Sequence, residues 1–260
     1  MLDNHYVPEG YGIKPNITIG SLKISTYSLF VFLGLIIGVI WFYITVSRKK
    51  KLKYKHSYFI VMSALIGGLI GSKLLVFIEN ISTLIKNPSY FKYFILTGKS
   101  IVGGLLGGLL GIKLYKRIAK LESFHCGNEI APAIALAMGI GRIGCFLTGC
   151  CYGIETKLPI GVDFGDGISR IPTQLIEMLF CFILFGVLFY RQKKNKNLPQ
   201  GILFRELVLY YFIFRFFIEF IRDTNKNILF LSIYQVISII GIILMLIYIK
   251  KLKKAKEDNT

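Results

Sequence analysis

The chain has 260 residues, 54% of them hydrophobic and only 18% charged, and its mean hydropathy is +0.60. Apolar runs close to twenty residues recur along its whole length. This excludes an ordinary soluble domain, because about 20 apolar residues in a helix cross the hydrocarbon core with their backbone groups satisfied. The formal charge of +18 raises nucleic acid as a partner, but the cations gather where apolar segments end, which points to membrane orientation instead.

Residues 1–23 are mostly polar, so the first apolar run begins too late for a secretory signal peptide and is expected to stay as a permanent span. Seven spans are expected, near 25–47, 57–79, 100–116, 128–149, 173–190, 201–222 and 230–250. The basic clusters RKKKLKYK (48–55), KLYKRIAK (113–120), RQKKNK (191–196) and KKLKKAK (250–256) each follow the end of an apolar segment. Positive loops stay in the cytoplasm. With the N-terminus outside, an odd number of spans places all of these clusters there and the C-terminus with them. The expected fold class is therefore an all-α polytopic membrane protein, a single integral membrane domain over residues 1–260.

Between the spans, NPSYFKYFILTG (87–98) is too short to cross and is expected to be interfacial or re-entrant. The Gly-rich loop at 152–172 is expected outside. Glycine concentrates at Gly67, Gly68 and Gly71, and again at Gly103, Gly104, Gly107, Gly108 and Gly111. Small residues four apart let helix backbones approach closely. Tight packing explains them, and a lipid headgroup approaching Gly103 and Gly104 is the alternative.

Ionisable residues inside spans cost about 2.5–3.5 kcal/mol each on insertion scales and persist when paired or lining a polar cavity. They concentrate at Arg142, in GRIGCFLTGCCYG (141–153), and in YYFIFRFFIEFIR (210–222). In the latter, Tyr211, Arg215, Glu219 and Arg222 follow one another at spacings of four, four and three, which stacks them on one helix face. A structural ion-pair stripe is one reading. Two arginines against one glutamate leave a positive excess to which Arg142 adds, which favours an anion site. The planar guanidinium fork suits phosphate, so a phospholipid headgroup is the expected ligand. His125 lies beside a basic cluster and is not expected to act as a base; His5 and His56 are expected to be solvated or interfacial.

The chain has five cysteines, which form no secreted disulfide framework. Cys181 lies within an apolar run and is expected to pack there. Cys145, Cys150 and Cys151 do not match a usual zinc spacing, and no metal ligand is expected. Packing, a redox or regulatory pair and, last, a transient lipid carrier or a metal stay open as roles.

These residues together resemble the bacterial phosphatidylglycerol–prolipoprotein diacylglyceryl transferase family, over nearly the whole chain. IGSLKISTYSLF is similar to the family's first-span entry, with Tyr27 at the position of its essential tyrosine, and SIVGGLLGG is similar to its glycine motif. GRIGCFLTGCCYG resembles its signature through Gly141, Arg142, Gly144, Phe146, Gly149 and Gly153. RIPTQLIE resembles a motif after the loop through Arg170, Pro172, Gln174 and Glu177, YFIFRFFIEFIR the sixth-span motif, and YQVISI the seventh-span entry at Gln235.

The resemblance implies transfer of the diacylglyceryl group from phosphatidylglycerol to the lipobox cysteine thiol of a prolipoprotein, in a bacterial cell membrane, with no cofactor. It implies Tyr27, Arg142, Arg215 and Glu219 as catalytic residues. Gly103, Gly104, Gly153, Gln174, Tyr211 and Arg222 would bind substrate. The chain departs from the family pattern in three places. Cys145 replaces an asparagine, Cys150 an acid, and Val102 the histidine most often proposed as base. Glu219 or the substrate phosphate would then take the thiol proton. A paralogue with another acceptor, a membrane thiol-redox factor using the three cysteines, and a non-catalytic lipid-binding protein are the rival readings.

Overall fold

The computed structural model describes residues 11–19, 22–48, 54–79, 81–88, 91, 101–121, 127–195, 198–224 and 231–257. His5, His125 and most of the 87–98 segment lie outside the described residues. The chain divides into two compact units, one of residues Met1–Tyr6 and Tyr43–Phe124, the other of Val7–Phe42 and His125–Thr260.

In chain order the elements are β1 (Asn16–Ile19), β2 (Leu22–Ser25), α1 (Thr26–Arg48), α2 (Tyr54–Glu79) and α3 (Ile81–Lys86). There follow α4 (Ile101–Ile118), α5 (Gly127–Thr148), β3 (Val162–Asp163), β4 (Ser169–Arg170), α6 (Thr173–Lys194), α7 (Ile202–Ile218) and α8 (Ile233–Glu257). The strands form two antiparallel hairpins, with Asn16 opposite Ser25 and Val162 opposite Arg170. Among the described residues the other elements are helices.

Among the described residues five helices are long and apolar enough to cross a membrane: Thr26–Thr45, Tyr58–Ile78, Gly127–Thr148, Thr173–Lys194 and Ile233–Leu252. The architecture is that of an all-α polytopic membrane protein. The other two expected spans coincide with α4 and α7, but each is interrupted by charge. Lys113, Lys116 and Arg117 fall within α4, and α7, 17 residues long, carries Arg205, Glu206 and Arg215. Large apolar side chains such as Phe32, Ile40, Leu179, Ile183, Ile243 and Ile247 stand exposed along the long helices, as a lipid-facing surface requires.

In the second unit the apolar core joins α5, α6 and α7 through Ala131, Ala135, Leu184, Leu188, Ile202, Leu203 and Leu207. Pro132 lies inside α5 and has no N–H to give the carbonyl four residues earlier. That carbonyl, of Asn128, accepts instead from Gln192 Nε2 on α6. The Asn128 side chain holds the α7 entry, accepting from Leu203 N at 3.0 Å and donating to Pro199 O at 2.9 Å. A break in one helix ladder is thus used to bind three helices together. Helix α1 (up to Phe42) lies along α5, where a Cβ on Gly34 would come within 2.6 Å of Ala137 O.

In the first unit α2 and α4 meet backbone to backbone. A Cβ on Gly107 would lie 2.2 Å from Gly67 O, and one on Gly71 would lie 2.4 Å from Gly103 O. Gly103 is buried in this contact and Gly104 half-buried beside it, so packing within this unit accounts for both.

Gly107→Ala is expected to destabilise the α2–α4 pair by about 1–3 kcal/mol, the usual cost of overpacking. Gly186→Ala, which meets nothing within 4 Å, serves as the neutral comparison. Unfolding of the two variants in detergent checks this, and equal stabilities would refute the backbone contact.

Candidate active site

The expected polar residues of the second unit converge at one end of its helices. Arg142 comes from the C-terminal half of α5, Glu177 from the start of α6, Tyr211 and Arg215 from α7, and Glu219 from its C-cap. Arg222 follows in the next turn of chain. All six are buried, with Glu177 1% and Glu219 0% exposed.

Glu177 is the hub. Its Oε1 pairs with Arg142 Nη2 at 2.7 Å and accepts from the Tyr211 hydroxyl at 3.0 Å. Its Oε2 lies 3.9 Å from Arg215 Nη1 and 3.8 Å from Arg222 Nη1. Glu219 Oε2 sits 3.3 Å from Arg215 Nη2 and 3.9 Å from Arg222 Nε, and neither Glu219 oxygen has a hydrogen-bond partner among the described residues. The Arg215 guanidinium also lies over the Tyr234 ring, 5.0 Å from its centroid.

The sequence tally set Arg142, Arg215 and Arg222 against Glu219 alone. The structure adds Glu177, so the formal charge of the cluster is three minus two, or +1. The excess survives but is one charge smaller than expected. The reason is that a carboxylate in the first turns of a separate helix gives no sign in sequence of facing these arginines. Tyr234 was likewise missed, because an aromatic residue at a helix start is commonplace.

The remaining expected residues hold the backbone around the cluster. Gly153 pairs with Arg222 across an isolated antiparallel bridge, and a Cβ there would come within 2.5 Å of Ile221 O. Only glycine allows that approach. Gln174, one turn before Glu177 on α6, donates from Nε2 to Cys150 O at 2.7 Å, while its buried Oε1 accepts no hydrogen bond among the described residues. Tyr27 is half-buried at the start of α1, and its Cα lies where a Cβ on Gly144 would approach to 3.2 Å. It therefore stands beside the α5 turn that carries Arg142. Gly103 and Gly104 belong to the other unit. Val102 lies on α4.

Arg170 is not part of the cluster. It pairs with Asp166 at 2.7 Å and covers the Tyr152 ring at 4.7 Å, and its guanidinium holds the Asp166 carboxyl below the usual range.

The three clustered cysteines lie next to this site. Cys145 and Cys150 are buried, Cys151 half-buried, and their sulfurs all lie within 4.8 Å of one another. Arg142 Nη1 reaches Cys145 Sγ at 3.7 Å. The two neighbouring thiols, ahead of burial, hold the Cys150 thiol well above its ordinary range. Cys181 is buried in α6, as expected for packing.

Removing one partner of a buried charge cluster leaves the others uncompensated. Glu177→Gln is expected to cost about 3–5 kcal/mol of stability. Glu206→Gln, whose partner Arg191 is 33% exposed, should cost under about 1 kcal/mol, because that arginine can turn to water. Denaturant unfolding of the two variants measures the difference, and equal losses would remove Glu177 from its central place.

The sequence pattern of the prolipoprotein diacylglyceryl transferase family matches residues 15–250 of the chain. A phosphatidylglycerol–prolipoprotein diacylglyceryl transferase of Clostridium tetani is 37% identical over 233 residues, covering 86% of this chain and 91% of the relative. The enzyme designated phosphatidylglycerol–prolipoprotein diacylglyceryl transferase 2 of Clostridium perfringens is 35% identical over 249 residues, covering 92% and 95%. One from Dehalococcoides mccartyi is 30% identical over 255 residues, covering 94% and 96%. With the motif residues gathered at one buried, arginine-rich helix end and a match of this extent, the chain belongs to the prolipoprotein diacylglyceryl transferase family.

Proposed function

We propose that the chain transfers the diacylglyceryl group of phosphatidylglycerol to the lipobox cysteine thiol of a prolipoprotein in a bacterial cell membrane. The thiol sulfur attacks the glyceryl carbon that bears the phosphate ester. A carbon–sulfur bond forms, the carbon–oxygen bond breaks, and glycerol phosphate leaves with the electron pair. The observation that carries this reading is a buried arginine cluster with one positive charge in excess, in a chain whose relatives bear that activity in their names.

The chemistry assigns the roles. Charge gathers on the departing phosphate, and Arg142 and Arg215, in a site too dry to screen them, stabilise it. Arg222 adds a third guanidinium, and Tyr211 positions the set through Glu177. The thiol must lose its proton to become a nucleophile. Glu219 receives it, since its oxygens are buried without hydrogen bonds. Gln174 Oε1 accepts from a headgroup hydroxyl, Gly153 lets the loop close on Arg222, and Tyr27 lines the approach beside Arg142. No cofactor takes part in this scheme.

Helices α4 and α7 complete seven spans in a single integral membrane domain, with the N-terminus outside and the C-terminus in the cytoplasm. The placement of charge supports this orientation. Tyr27, Glu177 and Gln235 lie at the starts of α1, α6 and α8, whereas Arg191, Lys193 and Lys194 close α6 and a run of lysines closes α8. The site and the cationic ends therefore lie at opposite ends of these helices, so basic ends inside place the site toward the outer leaflet, where secreted prolipoproteins arrive. Lys194→Cys is expected to react with an impermeant thiol reagent only from the cytoplasmic side and Ile160→Cys only from outside. Reaction of Lys194→Cys from outside would overturn the orientation.

Transfer of labelled diacylglyceryl to a lipobox peptide tests the site. Arg142→Lys is expected to lose most activity, because an ammonium cannot grip two phosphate oxygens at once. Arg215→Ala is expected to abolish it. Replacing Cys145, Cys150 and Cys151 together by serine should leave a substantial share of transfer, since the acceptor brings its own thiol. A dead but folded triple variant beside an active Arg215→Ala would instead support a thiol-redox or covalent-carrier protein.

A further inference from the structure

The cysteine cluster is a concentration of nucleophilic side chains that the proposed transfer does not use. Cys145 sits in the last turn of α5. Beyond the helix, Gly149 at φ 76° and Cys151 at φ 62° turn the chain through the left-handed region. For a non-glycine residue that conformation is strained and needs support from its surroundings. The support is present: Cys150 N donates to Cys145 O at 3.1 Å, Gln174 Nε2 to Cys150 O at 2.7 Å, and Thr173 Oγ1 to Cys151 O at 2.7 Å. Two consecutive side chains, which in an extended strand would point apart, are thereby brought together with Cys145 Sγ.

We propose that Cys145, Cys150 and Cys151 form a three-thiolate site for a thiophilic divalent cation of the zinc class, tying the last turn of α5 to the turn that follows it. Zinc–sulfur bonds of about 2.3 Å in tetrahedral geometry set the sulfurs about 3.8 Å apart. The sulfurs here all lie within 4.8 Å of one another, so side-chain rotation closes the remaining gap. A divalent cation with three thiolates carries a net charge of −1, and the Arg142 guanidinium, 3.7 Å from Cys145 Sγ, lies where it offsets that charge. Binding releases the three thiol protons, and three protein ligands leave a fourth position for water. In sequence the pattern points away from metal, because adjacent cysteines with no second pair are not a usual zinc spacing. The supported turn makes them convergent.

The test uses the full chain in detergent, reduced, stripped with a chelator and dialysed against a zinc salt. About one zinc ion per chain is expected, retained in Cys126→Ser and Cys181→Ser and lost in Cys150→Ser and Cys151→Ser. Cobalt in place of zinc is expected to give thiolate-to-metal charge-transfer absorption. Zinc is expected to protect the three thiols of the unaltered chain from alkylation, a readout that does not depend on any variant folding. Zinc uptake unchanged in the two variants would overturn the proposal. So would an absence of uptake by the reduced chain with its thiols freely alkylated, which would mean simple packing. A chain isolated without reductant that holds a Cys145–Cys150 disulfide and takes up no zinc after reduction would overturn it too, in favour of redox use.

Discussion

The carboxylate of Glu177 binds the second unit together at the end that matters. Through one side chain it engages Arg142 on α5, Tyr211 and Arg215 on α7, and Arg222 beyond α7. Charges taken out of water are costly, and a buried arginine persists only where a carboxylate and further hydrogen bonds compensate it. Three arginines cannot share a dry pocket without such a counterion. Two carboxylates are too few to neutralise them, and the resulting imbalance is what an anionic headgroup can satisfy. The same arrangement that holds the helices together therefore leaves the cluster short of one negative charge.

The opposite ends of these helices are built differently. There the packing is apolar, through Leu184, Leu188, Leu203 and their neighbours. Polar groups serve the backbone, as where Gln192 satisfies the carbonyl freed by Pro132. Beyond this layer come the lysines and arginines that close α6 and α8. Helix α6 thus runs from a buried charge cluster, through an apolar middle, to a basic end. In the first unit α2 and α4 meet by close backbone contact at their glycines, which suits a lipid setting where apolar side chains alone give helices no reason to associate.

The signature segment on α5 shows how one stretch of chain can serve two ends. Arg142 turns toward Glu177 while Cys145, one turn later, turns toward Cys150 and Cys151, and the guanidinium touches both partners. The resembling family pattern has an asparagine and an acid where this chain has Cys145 and Cys150. In this chain soft thiols stand at both positions, behind the guanidinium that Arg142 turns toward Glu177.

Much of this was legible in sequence. Apolar runs of membrane length and basic clusters at their ends specify a polytopic helical protein, because hydrocarbon tolerates no unpaired backbone and cations favour the cytoplasmic side. The four-residue spacings placed Tyr211, Arg215 and Glu219 on one face, as local helical geometry requires, whereas α7 ends at Ile218 and Arg222 reaches the cluster from a bridge beyond the helix. What sequence could not supply was every contact between helices. Glu177 at the centre, Tyr234 under Arg215, and the meeting of three sulfurs depend on which elements pack together and on a left-handed turn at Cys151. Periodicity reports the face of a helix and composition reports its solvent. Only the tertiary structure decides which faces meet, since that choice rests on contacts between residues tens of positions apart.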